Sequence, residues 1–375
     1  MQKIYFPGLN GLRFIGAFVV IIGHLEFIKS LYSLPNLMHL SFYSNTSGHM
    51  GVILFFVLSG FLITYLLLQE QESTSNIDVF NFYLRRVFRI WPLYYLMVLI
   101  SIFVLPEFLQ LINVPSQHFS FEETKYYLFF LPNVAKALQH FIPGAVHLWS
   151  IGVEEQFYLL WPLLIICFRK NIILLLALVF IGVSILPHFL DFMNNNYFNF
   201  HEKTGINYKH LMSFVGSFKI NSMAIGGFFA FIVKRKIKWF DFFKNDIIEP
   251  LIFLLTLYLW FSGQIIIDGY NDEAYSVLFA LVIFNISTKE HPILTLEQNL
   301  FKFMGKISYG LYVYHWVVIV VIIEIMTNHF PALSFDLLLT NSILYSSSIF
   351  ITVLLSYLSF EYFETPFLKI KERFN

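Results

Sequence analysis

Charge is what this sequence has least of. Asp, Glu, Lys and Arg make up 13% of its 375 residues, about half the roughly 25% of a soluble domain. The 24 basic residues balance the 24 acidic ones, so bulk charge makes no case for a nucleic-acid partner, and none is expected. The single cysteine, Cys167, sits in an apolar run; it excludes an internal disulfide and offers no thiolate cluster, and no metal is expected. No repeat or low-complexity run stands out. The first apolar stretch has no A-x-A cleavage site and no basic flank beyond Lys3, so it reads as a retained span, not a removed signal peptide.

What the chain does have is hydrophobic length: 57% of residues are hydrophobic, with 46 Phe and 21 Tyr. Lipid-facing bulk and interfacial belts account for most of these rings. About ten stretches are long enough to cross ~30 Å of hydrocarbon as helices: 10–29, 49–69, 88–109, 147–168, 171–190, 212–233, 248–263, 273–288, 303–326 and 338–361, the seventh and eighth being short. The expected fold is an all-α polytopic membrane protein, a single membrane domain over 1–375 with no fused extracytoplasmic domain. With the N-terminus in the cytoplasm, 17 of the 24 Lys and Arg fall on the inner side and six on the outer, with Arg13 inside the first span. That is the positive-inside bias, and an even number of spans puts both termini in the cytoplasm. The longest outer segment, 110–146, reads as partly helical or re-entrant, and its length suits a functional loop.

Four clusters carry candidate chemistry. In "LRFIGAFVVIIGH", Arg13 and His24 are eleven residues apart, within about 20° on a helical wheel and about 16 Å along the axis. Ionisable groups inside a membrane face protein or water and mark a pathway; the plainer alternative is a snorkelling arginine and a satisfied core histidine. In "RRVFRIWPLYY", Arg86 and Arg89 are an i,i+3 pair presenting two planar forks to one place, as phosphate recognition requires. Positive-inside decoration is the alternative. "HLWSIGVEEQFYLLWP" places Glu154 and Glu155 in an apolar helix, where carboxylates need partners, and it also holds His147, Trp149, Ser150 and Tyr158. Glu155 is chosen over Glu154 to orient an imidazole, with helix–helix pairing as the alternative. "ISYGLYVYHW" sets Ser308, Tyr312 and His315 along one seam, a proton-handling face or a set of interhelical hydrogen bonds. Ser59-Gly60 reads as close helix packing, since no base is in evidence for a serine nucleophile; Glu361 and Glu364 read as structural partners of the inner arginines. By depth, His24, Glu155 and His315 all reach the outer half of the bilayer, and Arg13, Arg86 and Arg89 stand at the inner side. The expectation is an anion-binding inner mouth joined by a passage to a titratable outer centre.

At these residues the chain resembles the acyltransferase 3 family, integral membrane enzymes that O-acetylate cell-surface glycans. "GLRFIGAFVVIIGH", "FFVLSGFLIT", "RRVFRIWPLYY", "HLWSIGVEEQFYLLWP", "ISYGLYVYHW" and "FEYFETP" occur in family order over most of the chain. The resemblance implies a ten-helix fold in the bacterial cytoplasmic membrane, with membrane lipids around it. It further implies an acyl-CoA donor, acetyl-CoA by expectation, and a glycan or glycolipid acceptor. It carries the family's essential histidine onto His24, its Arg-x-x-Arg element onto Arg86 and Arg89, and its first-helix arginine onto Arg13. On that basis His24 and Glu155 are the catalytic pair, Arg13, Arg86 and Arg89 bind the donor, and His147, Trp149, Ser150, Glu154, Tyr158, Ser308, Tyr312 and His315 support them. Direct transfer and an acyl-histidine relay both stay open. The rival reading is a transporter or flippase of an anionic or polyprenyl-linked glycan; inverted repeats with helices broken at equivalent positions, which would favour it, are not found. A membrane scaffold, the third class, needs no Arg13–His24 stripe.

Overall fold

In the computed structural model, the described residues (5–38, 47–115, 119–196, 207–330 and 337–374) form helices and turns, and among them there is no strand. Helix α1 spans Leu9–Leu31 and α2 Ser47–Thr74. Helix α3 spans Val79–Leu99 and continues through a π-turn, Ile100–Val104, into Leu105–Leu111. Two short helices follow, α4 (Phe121–Leu128) and α5 (Pro132–Ala137), the first held by a Ser120–Glu123 capping box. Then come α6 (Trp149–Cys167), α7 (Ile172–Asn196), α8 (Tyr208–Ser217) and α9 (Ile220–Arg235). The last helices are α10 (Ile248–Ser262), α11 (Asn271–Thr288), α12 (Asn299–Lys306), α13 (Ser308–His329), α14 (Leu337–Leu358) and α15 (Thr365–Lys371). The long segment after α3 is partly helical, through α4 and α5.

Eight helical segments of the described residues are long and apolar enough to cross a membrane: 9–31, 47–74, 79–111, 146–167, 172–196, 208–235, 308–329 and 338–374. The protein is thus an all-helical, multi-pass membrane protein. The seventh and eighth expected spans exist as α10 and α11. Helix α10 has only 15 residues, and α11 opens on Asn271, Asp272 and Glu273, so neither joins the eight.

The third span begins nine residues earlier than its hydropathy indicates. Asp78 caps it by accepting from the Asn81 backbone N–H at 2.9 Å. Arg85, Arg86 and Arg89 therefore lie within the helix, not at its edge. A hydropathy window cannot see this, because three arginines in five residues hide the apolar faces around them.

Helices α2 and α9 cross where their backbones touch. A Cβ on Gly60 would meet the Met223 carbonyl oxygen at 1.9 Å, and one on Gly226 the Val57 oxygen at 2.1 Å. The Ser59-Gly60 pair thus packs as its small size suggests, and this contact fixes α2 as the axis of the bundle. Phe56, Phe61, Tyr94, Phe157 and Trp161 are buried around it. Helices α7 and α10 turn Ile181, Phe189, Leu251, Leu254 and Tyr258 outward, as lipid-facing helices do. Helix α15 and the turn after it fold back on α3: Arg85 Nη1 donates to the Phe374 carbonyl at 2.7 Å, and the Phe88 and Phe374 rings lie parallel at 5.7 Å.

Candidate active site

A cavity of about 510 Å³ runs between α1, α2, α3, α6 and α13. Arg85, Glu70 and Lys371 line one end, Arg13, Arg86, Arg89 and Glu154 the middle, and Ser150 and Tyr312 the other end. The arginines are not equivalent. Arg85 meets Glu70 at 3.2 Å. Among the described residues, no carboxylate lies within ion-pair distance of Arg13, Arg86 or Arg89. Arg13 donates to the Asn10 side chain at 3.3 Å. The Arg86 guanidinium stands 5.5 Å from the Phe82 ring and 5.8 Å from the Tyr158 ring, and its Nε is buried without a hydrogen-bond partner. Three half-buried guanidinium groups around open space, with no carboxylate in contact among the described residues, offer the positive charge and planar forks that an anion of more than one charge would need.

The two adjacent carboxylates part company, because neighbours on a helix point about 100° apart. Glu154 faces the cavity and accepts from Ser59 Oγ at 2.7 Å and from Tyr158 Oη at 3.3 Å. Glu155 faces α3, accepts from Trp91 Nε1 at 2.9 Å, and leaves its second oxygen buried without a partner. Glu155 therefore has Trp91, not His24, as its contact. Glu364 accepts from Ser359 Oγ at 3.2 Å, and among the described residues no arginine forms an ion pair with it or with Glu361.

The imidazole of His24 finds another imidazole. His24 Nδ1 lies 2.7 Å from His315 Nε2, and the two rings are parallel to within 4°. If His24 Nδ1 carries the proton and donates it, His24 Nε2 is left with a lone pair, the tautomer a general base needs. His315 Nδ1 then holds its own proton, buried without a hydrogen-bond partner. His147 stands edge-on to His315, with ring centres 4.9 Å apart, and donates through Nε2 to the Val313 carbonyl at 3.0 Å. Tyr312 Oη donates to the His147 carbonyl at 2.8 Å and lies 2.6 Å from Ser150 Oγ. Trp316 packs edge-on against His24 at 4.9 Å and face-on against His147 at 5.7 Å. The cavity reaches Tyr312, whose ring is 5.7 Å from that of His315. An unbroken passage from arginines to His24 was expected; one layer, Tyr312 with Ser150, stands between them.

A family model for an acyltransferase domain matches residues 6–361, a span that includes all of these groups. The chain belongs to the acyltransferase 3 family. It is similar to the O-acetyltransferase OatA of Staphylococcus aureus (strain NCTC 8325 / PS 47), 29% identical over 97% of this chain and 57% of that protein. It is also similar to a putative O-acetyltransferase of Staphylococcus aureus (strain COL), 30% identical over 97% of this chain and 58% of the relative. The chain thus spans less than two thirds of the length of these relatives. No solved structure matches.

In this acyltransferase 3 chain the structure brings two groups of the expected residues together. Arg13, Arg86, Arg89, Glu154, Tyr158 and Ser308 share the cavity, and His24, His147, Ser150, Tyr312 and His315 form the layer beyond it. Trp149 lies to one side, its ring 6.1 Å from Phe56. Sequence reasoning missed the partnership of His24 with His315, although both histidines were placed at one depth. It also gave Ser59 a packing role alone. Tyr309, a polar handle of the ISYGLYVYHW stretch, also lines the cavity and donates to the Ile90 carbonyl at 2.9 Å; Lys136 carried no signal beyond its place in the outer segment.

Proposed function

We propose that this protein is an O-acyltransferase of the bacterial cytoplasmic membrane, moving an acetyl group from acetyl-CoA to a hydroxyl of an exported or cell-surface glycan. The arginine end faces the cytoplasm, with both termini there. The observation that carries the reading is the set of three guanidinium groups without carboxylate contacts around a cavity that leads to the histidine layer. A transporter of anionic substrates would also want the arginines, but it would not need two imidazoles 2.7 Å apart next to the cavity.

The donor's phosphates bind Arg13, Arg86 and Arg89, and its acyl-bearing arm extends toward Tyr312. The Tyr312–Ser150 layer parts to admit the thioester. His24 Nε2 takes the proton of the acceptor hydroxyl as its oxygen attacks the thioester carbonyl. The tetrahedral intermediate then expels the CoA sulfur, which leaves with that proton. His315 holds His24 in place and shares its positive charge through the 2.7 Å contact. This is the orienting role that the sequence alone would give to Glu155. General-base help of this kind is worth roughly 10²–10⁴-fold, and a dry, preorganised site adds to it.

Purified protein given acetyl-CoA and a glycan acceptor is expected to release free CoA thiol and to add one acetyl group to the glycan. His24→Ala is expected to abolish both while remaining folded and able to bind acetyl-CoA. Thiol release undiminished in His24→Ala, or movement of intact glycan across vesicles without thiol release, would contradict the assignment.

A further inference from the structure

Beside the histidine layer, outside the lining of the donor cavity, stands a cation with no carboxylate partner among the described residues. Lys136 on α5 is half-buried, and its Nζ stands 3.9 Å above the centre of the Trp149 ring. Among the described residues it makes no ion pair and no side-chain hydrogen bond. The contrast with other half-buried lysines is sharp: Lys219, Lys234, Lys244 and Lys289 each meet a carboxylate within 2.8 Å. An ammonium withdrawn from water without a counter-ion is costly, and a ring face offsets only part of that cost.

The position is also a built one. One turn before Lys136, the Asn133 side chain exchanges two hydrogen bonds with Gln156 of α6, at 3.2 and 2.8 Å, and Gln156 donates to the Phe130 carbonyl at 3.2 Å. Pro132 seats against Gly152, where a Cβ would lie 2.6 Å from its ring. Helix α5 is thus locked to the start of the helix that carries Ser150 and Glu154. The ring under Lys136 belongs to Trp149, the residue before Ser150 and two after His147, so the charge stands beside the histidine layer. Burial and the neighbouring Lys219 push the Lys136 ammonium down to about 8, so it is still mostly charged at neutral pH. Lys219 itself is neutralised by Asp272 at 2.8 Å, which leaves Lys136 as the open charge beside that layer.

We propose that Lys136, backed by Trp149, is an acceptor-side anion site: the glycan acylated by this protein carries a carboxylate or phosphate close to the reacting hydroxyl, and Lys136 holds it. This rests on the acyl-transfer reading. It deepens that reading by naming the acceptor's chemical class and a specificity residue that touches it. Donor and acceptor then bind through separate cationic sites, the arginine-lined cavity and Lys136 beside the histidine layer.

The test uses three probes: a short uronic-acid oligosaccharide, its carboxyl-reduced neutral form, and a phosphorylated form of that neutral chain. For the unaltered protein, the acceptor KM for at least one anionic probe is expected to be lower than for the neutral probe by about tenfold or more, the worth of one charge-assisted contact. Whichever anionic probe binds better identifies the group. Lys136→Gln is expected to erase the difference while leaving the donor KM and the rate with the neutral probe unchanged, and Lys136→Arg to restore most of it. An anionic-to-neutral ratio that is the same in Lys136→Gln, or an equal fall in kcat with all three probes, would overturn the proposal. Binding of the same probes to His24→Ala, followed by tryptophan fluorescence, measures recognition without turnover. Recognition that ignores charge while thiol release persists overturns this site alone; charge-dependent recognition without thiol release in the unaltered protein overturns the transfer reading alone.

Discussion

Helix α1 carries two basic side chains inside the bundle, Arg13 and Lys29, and the fold treats them in opposite ways. Lys29 is fully buried and fully matched. Its Nζ lies 2.5 Å from Glu26 and donates to the Asn341 side chain at 2.6 Å, while Glu26 also accepts from Tyr345 at 2.6 Å and from the Leu37 backbone N–H. Arg13 is half-buried, meets only the Asn10 amide among the described residues, and faces a cavity shared with Arg86 and Arg89. Arg85 and Arg86 on α3 repeat the contrast one residue apart: the first is paired with Glu70, the second is not. A buried charge whose contacts are complete holds helices together; one whose contacts stop at open space has charge left over, which the proposed function assigns to a ligand.

Breaking the matched set is expected to have the largest effect. Lys29→Met leaves Glu26 buried without its cation and should cost about 3–5 kcal/mol, read as a large fall in Tm or in the yield of monodisperse protein. The double variant Glu26→Gln/Lys29→Met should recover much of that loss, since replacing a whole buried pair is often near neutral. Breaking the unmatched set should spare the fold. Arg86→Ala is expected to keep the Tm and raise the donor KM by about tenfold to a hundredfold, the worth of one or two charge-assisted contacts, whereas Arg85→Ala should leave the donor KM close to its original value. If Arg86→Ala instead loses folded protein as Lys29→Met does, the distinction fails. The two carboxylates give a smaller version of the same comparison. Glu155→Gln should shift stability by about 1 kcal/mol through its Trp91 contact with the donor KM unmoved, and Glu154→Gln, which faces the cavity, should change the donor KM.

The smallest effect is expected at the edge of the bundle. Glu297 ties the start of α1 to the segment before α12, accepting from the Gly8 backbone N–H at 2.5 Å, from the Tyr5 hydroxyl at 2.8 Å, and from Lys302 at 2.9 Å. Partial burial would raise its carboxyl, but these contacts outweigh it and hold the group below the ordinary carboxylate range. A lowered carboxyl contributes stability that is present above its unfolded value and is lost as pH falls through the folded one. Unaltered protein should therefore lose a few tenths of a kcal/mol more than Glu297→Gln on acidification below about pH 4.5, measured as Tm against pH.

Sequence alone made much of this legible. Helical periodicity placed Arg13 and His24 on one stripe and Arg86 beside Arg89, and the small Ser59-Gly60 pair marked the α2–α9 crossing. Long apolar runs are a local signal, which is why the spans were readable. What stayed hidden is whatever depends on residues far away in the chain. The His24–His315 contact joins positions 291 apart, and the Lys29–Asn341 contact positions 312 apart. The choice between Glu154 and Glu155 turns on which way α6 is rotated in the bundle, a matter of packing that adjacent identical residues cannot reveal. The early start of α3 depends on one cap at Asp78, and the unpartnered state of Lys136 on where every carboxylate of the bundle ends up.

On the proposed mechanism, the unmatched arginines hold the donor on its way to the histidine layer. Determining the structure of the protein with bound CoA tests it most directly. Phosphate density is expected between Arg13, Arg86 and Arg89, with the thiol end directed at Tyr312 and Ser150. CoA bound elsewhere, with those three guanidinium groups untouched, would contradict it.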